Sequence, residues 1–363
     1  MSTPSSARPR RRRPRTPASR RPNWPSCVAA SSRQRLPDAD VDARWLEAAA
    51  RLAARARPSS RPNPAVGALI VRDGQVVARG WTQPGGRPHA EAVALATAGA
   101  AADGATLYVT LEPCAHDGAR GPSCAASLAA SPLARIVVGC TDPDPRTAGA
   151  GLGALEAAGK NVILMPIPSV EASLAGYLRQ RREGRPEVTL KLATSIDGQI
   201  ALADGTSRWI TGAPARAHVH ALRARADAIL VGGATVRADA PTLDVRLPGL
   251  EEQAPERWVL TRGAAPPGWR ALAAPEAIGA MADIQYLFVE GGAGAGAAFL
   301  AADLVDCLVL YRAPIVIGKG RASIGDIGLA SLEAAHGRWR LADRRRLGSD
   351  LLEVYDRARC SPA

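Results

Sequence analysis

Uncharged apolar runs are short throughout this chain of 363 residues, and none reaches eighteen. That excludes a membrane-spanning helix, and the missing apolar h-region argues against a secretory signal. Cysteine is sparse, with six residues scattered at 27, 114, 124, 140, 307 and 360. So low a density points to a reducing cytoplasm rather than a disulfide framework. Only five histidines occur in the whole chain. No internal repeat relates its halves. Residues 1–37 lack acidic side chains but hold ten arginines, so the formal charge of +12 leaves the other 326 residues at +2. The basic character belongs to the tail.

That tail is rich in Arg, Pro and Ser, shows no hydrophobic periodicity, and is expected to be disordered over about residues 1–40. Three readings stand open: a solvated extension ahead of a true start nearer Val41, an acid-poor transit peptide, or a polyanion-binding arm. The rest is long enough for two domains with separate cores. From Asp40, "DVDARWLEAAARLAARA" reads as an amphipathic helix with Trp45, Leu46, Ala49, Leu52 and Ala53 on one side. "AVGALIV" and "QVVARGW", parted by "RDG", form a hairpin signal. A helix from about His89, the strand "ATLYVTL", a helix from about Ser123, the strand "RIVVGC", a helix near 148–158 and the strand "NVILM" follow. Alternation of this kind implies an α/β sandwich with a partly parallel sheet. One further helix, "SVEASLAGYLRQRR", leads to a junction at "RREGRPE". A second α/β series then runs through "VTLKLATSIDG", "DAILVGG", "RWVLT", "IQYLFVEGG", "LVDCLVLYRAPIVIG" and "DLLEVYDRA". The expected division is 41–185 and 186–363.

The stretch "GGRPHAEAVALATAGA" places His89 and Glu91 at a helix start. Taken singly, the histidine reads as a cap, the glutamate as a first-turn carboxylate meeting the helix dipole, and a cysteine as a core residue. The set reads differently. His89, Cys114 of "EPC" and Cys124 of "GPSC" offer one imidazole and two thiolates at element ends, the three-ligand shell of catalytic zinc with a fourth position open. Zinc in such a shell lowers the pKa of bound water from 15.7 to about 7. Glu91 can take that proton and return it to substrate and leaving amine. His116 is the one nearby candidate for a closing fourth ligand.

HxE followed by PC and a second cysteine resembles the zinc-dependent cytidine deaminase superfamily. Its nucleic-acid and nucleoside branches commonly carry PCxxC, whereas here "AHDGARGPS" separates the cysteines. That long loop, with "SSRPNPAVGALIV" before it and "DPDP" after it, resembles the deaminase half of the bifunctional riboflavin-biosynthesis deaminase/reductase family across residues 41–165. The family pattern has eight residues between the cysteines, not nine, and DPNP where this chain has "DPDP". The resemblance implies that Asn63 and the backbone near Ala90 contact the substrate ring. It also implies that His116, Arg120 and Asp142 to Arg146 surround a ribose phosphate.

The second half has no GxGxxG fingerprint, and "EGGAGAGAAFL" follows a late strand instead of opening the domain. Yet "RPEVTLKLATSIDGQIALADGTSRWITG" and "ADAILVGGATVRADAPTLDVR" resemble the reductase half of the same family, over about residues 186–355. The resemblance implies a dihydrofolate-reductase-like fold beside a cytidine-deaminase-like α/β/α sandwich. It places NADPH against Ala193, Trp209, Thr235, Asp239 and a loop of Gly292, Ala293, Gly294, Ala295, Gly296, Ala297 and Ala298. It places substrate against Ser207, Arg223, Leu243, Arg246 and Glu290, where two guanidiniums could grip a phosphate. Lys191 and Asp197 read as structural.

The expectation is a bifunctional enzyme with Zn2+ and NADPH. It would deaminate a phosphoribosylaminopyrimidine and then reduce its ribosyl side chain to ribityl. A phosphorylated pyrimidine, no nucleic acid, no membrane and a homo-oligomer, a dimer first, are the expected partners. The rival is a nucleic-acid or nucleoside deaminase with an accessory domain.

Overall fold

The computed structural model describes residues 38–116 and 121–358; the tail's expected disorder over 1–37, Arg120, Cys27 and Cys360 lie outside them, whereas residues 38–40, expected in that tail, already form the first turn of a helix. Helix α1 (Asp38–Ala53) begins with Asp38 and Asp40 and has Arg51 in its last turn, charges that complement the helix dipole. It buries Leu46, Ala49, Ala50 and Ala53. Asp42 is buried too, which the apolar pattern hides. Its carboxylate accepts from the Tyr108 hydroxyl at 2.8 Å and from both ends of the Arg135 guanidinium, at 2.8 and 2.5 Å.

Strands β1 (Gly67–Arg72) and β2 (Gln75–Trp81) form the expected hairpin. Asp73 and Gly74 between them both have positive φ, at 53° and 71°, as a two-residue hairpin turn requires. Then come α2 (Ala90–Ala98), β3 (Thr106–Val109), α3 (Cys124–Ala129), β4 (Arg135–Val138), α4 (Ala150–Ala157) and β5 (Asn161–Leu164). The sheet order is β2-β1-β3-β4-β5, antiparallel across β2, β1 and β3 and parallel across β3, β4 and β5.

Two glycines set where helices meet this sheet. A Cβ on Gly67 would overlap the Ala49 carbonyl of α1, and one on Gly80 would overlap the Ala90 carbonyl of α2. Gly80 pairs with Ala68, the neighbour of Gly67. Adjacent strand residues face opposite ways, so α1 and α2 cover opposite faces. The α/β/α sandwich follows.

The single helix expected at "SVEASLAGYLRQRR" is two, α5 (Pro168–Ser173) and α6 (Ala175–Glu183), broken at buried Leu174. The break lets Gly176 lie against the second half of the chain. A Cβ there would stand 2.5 Å from the Gln285 carbonyl and 2.7 Å from the Tyr286 ring.

The second half contributes β6 (Glu187–Thr194), β7 (Gln199–Leu202), α7 (Ala213–Arg223), β8 (Ala228–Gly232), α8 (Gly233–Asp239), β9 (Glu256–Leu260), β10 (Arg270–Leu272), β11 (Tyr286–Val289), α9 (Ala293–Ala301), β12 (Cys307–Arg312), β13 (Gly320–Ala322), β14 (Trp339–Leu347) and β15 (Asp350–Arg357). Eight strands order as β10-β9-β8-β11-β6-β12-β15-β14, parallel from β10 to β12, with β15 and β14 antiparallel at one edge. Strands β7 and β13 pair separately. Of the strands that periodicity misses, β14 is the longest. It is an exposed edge strand, "WRLADRRRL", whose arginines discourage further pairing.

Candidate metal centre and nucleotide cleft

His89 is the N-cap of α2, in extended conformation, and Cys124 opens α3 behind its own cap, Ser123. Cys114 follows the "EP" turn after β3. His89 Nδ1 lies 3.2 Å from Cys124 Sγ and 3.6 Å from Cys114 Sγ. The Cys124 N–H donates to Cys114 Sγ at 3.3 Å. The three ligand atoms lie within 4.8 Å of one another, and among the described residues they form the one such group. His116 is not part of it.

The hydrogen bond between the two sulfurs, with His89 beside them, lowers the Cys114 pKa, while the same bond and burial push Cys124 up. The bond to Cys114 also raises the His89 pKa. A divalent cation among these atoms would offset two thiolate charges, and the His/Cys/Cys donor set fits zinc. Glu91, 4% exposed, stands in the first turn of α2 beside the site. Burial pushes its carboxyl above the usual range.

A cavity of about 180 Å³ opens there, and Asn63, Glu91, His116, Asp142, Asp144 and Arg146 all line it. Residues far apart in the chain are thus brought to one cleft. Gly86, with φ of +83°, packs directly on Asn63, and a Cβ there would overlap its Nδ2. His116 Nδ1 is buried with no hydrogen-bond partner among the described residues. Arg146 donates to Asp144 at 3.0 and 2.6 Å and holds its carboxyl down at about 2.

Sequence reasoning missed Glu112, Tyr177 and Arg181 in this cleft. The buried Glu112 carboxylate accepts from the N–H groups of Asp142 and Gly149 at 3.1 Å, Gly151 at 3.0 Å and Leu152 at 3.2 Å. It ties the "DPDP" turn to the start of α4. The Tyr177 hydroxyl donates to Asp142 at 2.8 Å, and Arg181 lies 3.7 Å from Asp144. A glutamate before "PC" was the available signal for the first. Tyr177 and Arg181 arrive only through the fold of α6.

In the second sheet, β8 runs into α8 and its parallel neighbour β11 runs into α9, so two helix starts open at adjoining strand ends. The run Gly292 to Ala298 is not a loop. Gly292 caps α9, and Ala295, Gly296 and Ala297 are buried in it. Gly296 faces Leu190 and Leu192 of β6, so small residues here serve helix-to-sheet packing as well as backbone approach. A Cβ on Gly291 would stand 2.6 Å from that of Ala295, and the Thr235 hydroxyl is the near neighbour of Gly292.

Arg223 and Glu290 meet. Arg223 Nε and one terminal nitrogen donate to the Glu290 carboxylate at 2.5 and 3.0 Å, and its other nitrogen donates to the Asp244 carbonyl at 2.9 Å. Lys191 Nζ is 3.6 Å from Glu290, an assignment that sequence reading left as structural. Burial alone would raise the Glu290 pKa, but Lys191 and Arg223 outweigh it and hold it below the usual range. Arg246 is exposed and pairs with Asp244 at 3.5 Å. Arg223 and Arg246 therefore do not form a free pair of forks. Leu243 is buried with φ of +54°, Ser207 is half-buried, Asp239 ends α8, and Ala193 lies near the end of β6. Trp209 is exposed beneath the Arg216 guanidinium, 4.7 Å from its ring centroid. Asp197 accepts from Ser195 and from the Ile317 and Gly318 N–H groups, an anchoring role.

The first half builds a hydrolytic deaminase of the zinc class, continuous with a second α/β domain of nucleotide-binding form. Residues 39–140 match the family model of the cytidine and deoxycytidylate deaminase zinc-binding region, and residues 186–352 match that of the RibD C-terminal domain. The riboflavin biosynthesis protein RibD of Escherichia coli (strain K12) is 37% identical over 85% of this chain and 98% of its own length. That of Mycobacterium tuberculosis (strain ATCC 25618 / H37Rv) is 39% identical over 80% and 90%. The structure of Acinetobacter baumannii RibD, form 1, superposes with a TM-score of 0.77 at 34% identity, covering 88% of this chain and 100% of that one. The chain belongs to the RibD family. A Thermotoga maritima diaminohydroxyphosphoribosylaminopyrimidine deaminase/5-amino-6-(5-phosphoribosylamino)uracil reductase also superposes, with a TM-score of 0.78 at 29% identity over 88% and 100%.

Proposed function

We propose that this chain performs two successive steps of riboflavin synthesis. The first is hydrolytic deamination of 2,5-diamino-6-(5-phospho-ribosylamino)pyrimidin-4-one; the second is reduction of its ribosyl side chain to ribityl. The observation that carries the reading is the buried Glu91 beside the His89, Cys114 and Cys124 cluster, at the floor of a cleft lined by Asn63.

His89, Cys114 and Cys124 would hold zinc, which when bound would lower the pKa of a water to about 7. Glu91 would carry one water proton to the ring nitrogen and then the second, from the hydroxyl added at the amine-bearing carbon, to the amine, which leaves as ammonia as the carbonyl forms. Burial of Glu91 raises its affinity for a proton. Asn63 and the Ala90 backbone hold the ring, while His116, Arg146 and Arg181 face the phosphate end.

In the second domain NADPH, when bound, would supply the hydride that together with a proton turns the ribosyl group into ribityl. Ala193, Trp209, Thr235, Asp239 and the first turn of α9 receive the cofactor, and Ser207, Arg223, Leu243, Arg246 and Glu290 receive the substrate. The Arg223–Glu290 pair acts as a unit, in which Arg223 fixes the Glu290 carboxylate towards sugar hydroxyls. The domains extend over 41–185 and 186–363. We place the enzyme in the cytoplasm as a homodimer acting on small molecules without nucleic acid. No helix among the described residues is long and apolar enough to cross a membrane. A nucleic-acid deaminase would leave the match over residues 186–352 without a purpose.

Ammonia release from the pyrimidine substrate tests the reading. Glu91→Gln should lower it by at least ~100-fold with zinc content intact, and NADPH oxidation on the supplied deaminated compound should persist. Undiminished ammonia release in that variant would refute it.

A further inference from the structure

Residues Arg57 to Pro64 lie in the connection between α1 and β1 and carry Asn63 into the deaminase cleft. The second domain grips this connection at three points. The Gln285 side-chain amide donates to the carbonyl oxygens of Pro62 at 2.7 Å and Asn63 at 3.3 Å. Arg57 lays its guanidinium 3.1 Å from the Tyr286 ring centroid and donates to the Arg225 carbonyl at 3.1 Å. Arg61 pairs with Glu256 at 2.6 Å. Each anchor stands where a parallel strand begins, at the entry to β11, β8 or β9.

Gln285 is itself anchored through its backbone. It is buried, its N–H donates to the Asp227 carboxylate at 2.9 Å, and its carbonyl accepts from the Glu187 N–H at 2.8 Å. A sheet edge therefore sets where the Pro62 and Asn63 carbonyls lie. On the other side the Gly85–Gly86 turn confines the Asn63 side chain, since a Cβ on Gly86 would stand 2.7 Å from Asn63 Cβ. The backbone of Asn63 is held by one domain and its side chain by the other.

We propose that Gln285 is a positioning residue for deamination, so that the reductase domain completes the deaminase site by fixing Asn63. This rests on Asn63 being a substrate contact, as read above. A group that binds substrate alike in the ground and transition states shows, when displaced, as a raised KM with kcat unchanged. The reductase half is thus more than a passenger in the first reaction.

The test uses the full chain. Gln285→Leu keeps the bulk and removes the donor. We expect its KM for deamination to rise about tenfold, with kcat held within about twofold. Zinc content and the kinetics of NADPH oxidation on the deaminated compound should stay unchanged. Gln285→Asn, with its donor one carbon shorter, should give an intermediate KM and serves if the leucine variant does not fold. Asn63→Ala should raise the same KM, and adding Gln285→Leu to it should change nothing more. Additive losses in the double variant, or a parallel fall in zinc and reductase activity, would overturn the positioning role. So would wild-type KM in both Gln285 variants. A wild-type KM in Asn63→Ala alone would instead overturn the assignment of Asn63, and the positioning role with it.

Discussion

A Cβ on Gly80 would overlap the carbonyl oxygen of Ala90 and stand 2.7 Å from the Ala94 nitrogen. Strand β2 and the first turn of α2 are thus in backbone contact, and that turn carries both His89 and Glu91. Gly80→Ala should push the helix off the sheet, at a cost of about 1–3 kcal/mol. Bound zinc per chain and ammonia release should fall together while NADPH oxidation survives. A variant with full zinc and unaltered deamination would show that the helix does not need this contact.

Glu112 holds four backbone N–H groups with one carboxylate. Glu112→Gln replaces an acceptor by a donor that faces other donors. An unsatisfied buried group costs about 1–3 kcal/mol, so thermal unfolding should begin at lower temperature. Because the "DPDP" turn is released as well, KM for deamination should rise more than that for reduction.

Arg223→Met would leave Glu290 buried without its hydrogen-bonded guanidinium, and the loss should reach about 3–5 kcal/mol. Glu290→Gln should be milder, and the double variant should recover much of the difference. The pH dependence has a definite sign. Glu290 is held below its unfolded pKa of about 4.3, so its pairing stabilises the fold above that value and is lost as pH falls below it. Denaturation curves between neutral and acid pH should show that slope in the parent chain and a flatter one in Glu290→Gln.

Chelation should separate the thiols by reactivity. Burial pushes Cys140 up to about 11 and Cys307 up to about 12, so both should stay inert to thiol reagents at neutral pH. The Cys114–Cys124 pair should be protected in the zinc-loaded protein and become modifiable once zinc is withdrawn. Mass mapping of the labelled residues reads this directly. Labelling of Cys140 ahead of that pair would contradict it.

Local chemistry was open to reading along the chain. His89 and Glu91 lie two positions apart at a helix start, Cys114 and Cys124 bracket one loop, and "RDG" marks one turn. Strand and helix alternation showed as periodicity because both sheets bury apolar side chains. The reading failed where burial and charge part company. Asp42 is inside on the strength of Arg135 and Tyr108, and β14 is a strand despite its arginines because β15 supplies its partner bonds. The glycine run after β11 looked like a loop, yet its small residues let α9 settle on β6.

The amino-acid order by itself determined which donor atoms a metal would find and how the two α/β units follow one another, because those depend on neighbours within a few residues. Tertiary structure alone decided that Gln285 reaches Asn63, that Arg223 closes on Glu290, and that Glu112 gathers backbone groups from three places. Each of these joins residues dozens to hundreds of positions apart, and a hydrogen bond formed across a fold leaves no period in the sequence.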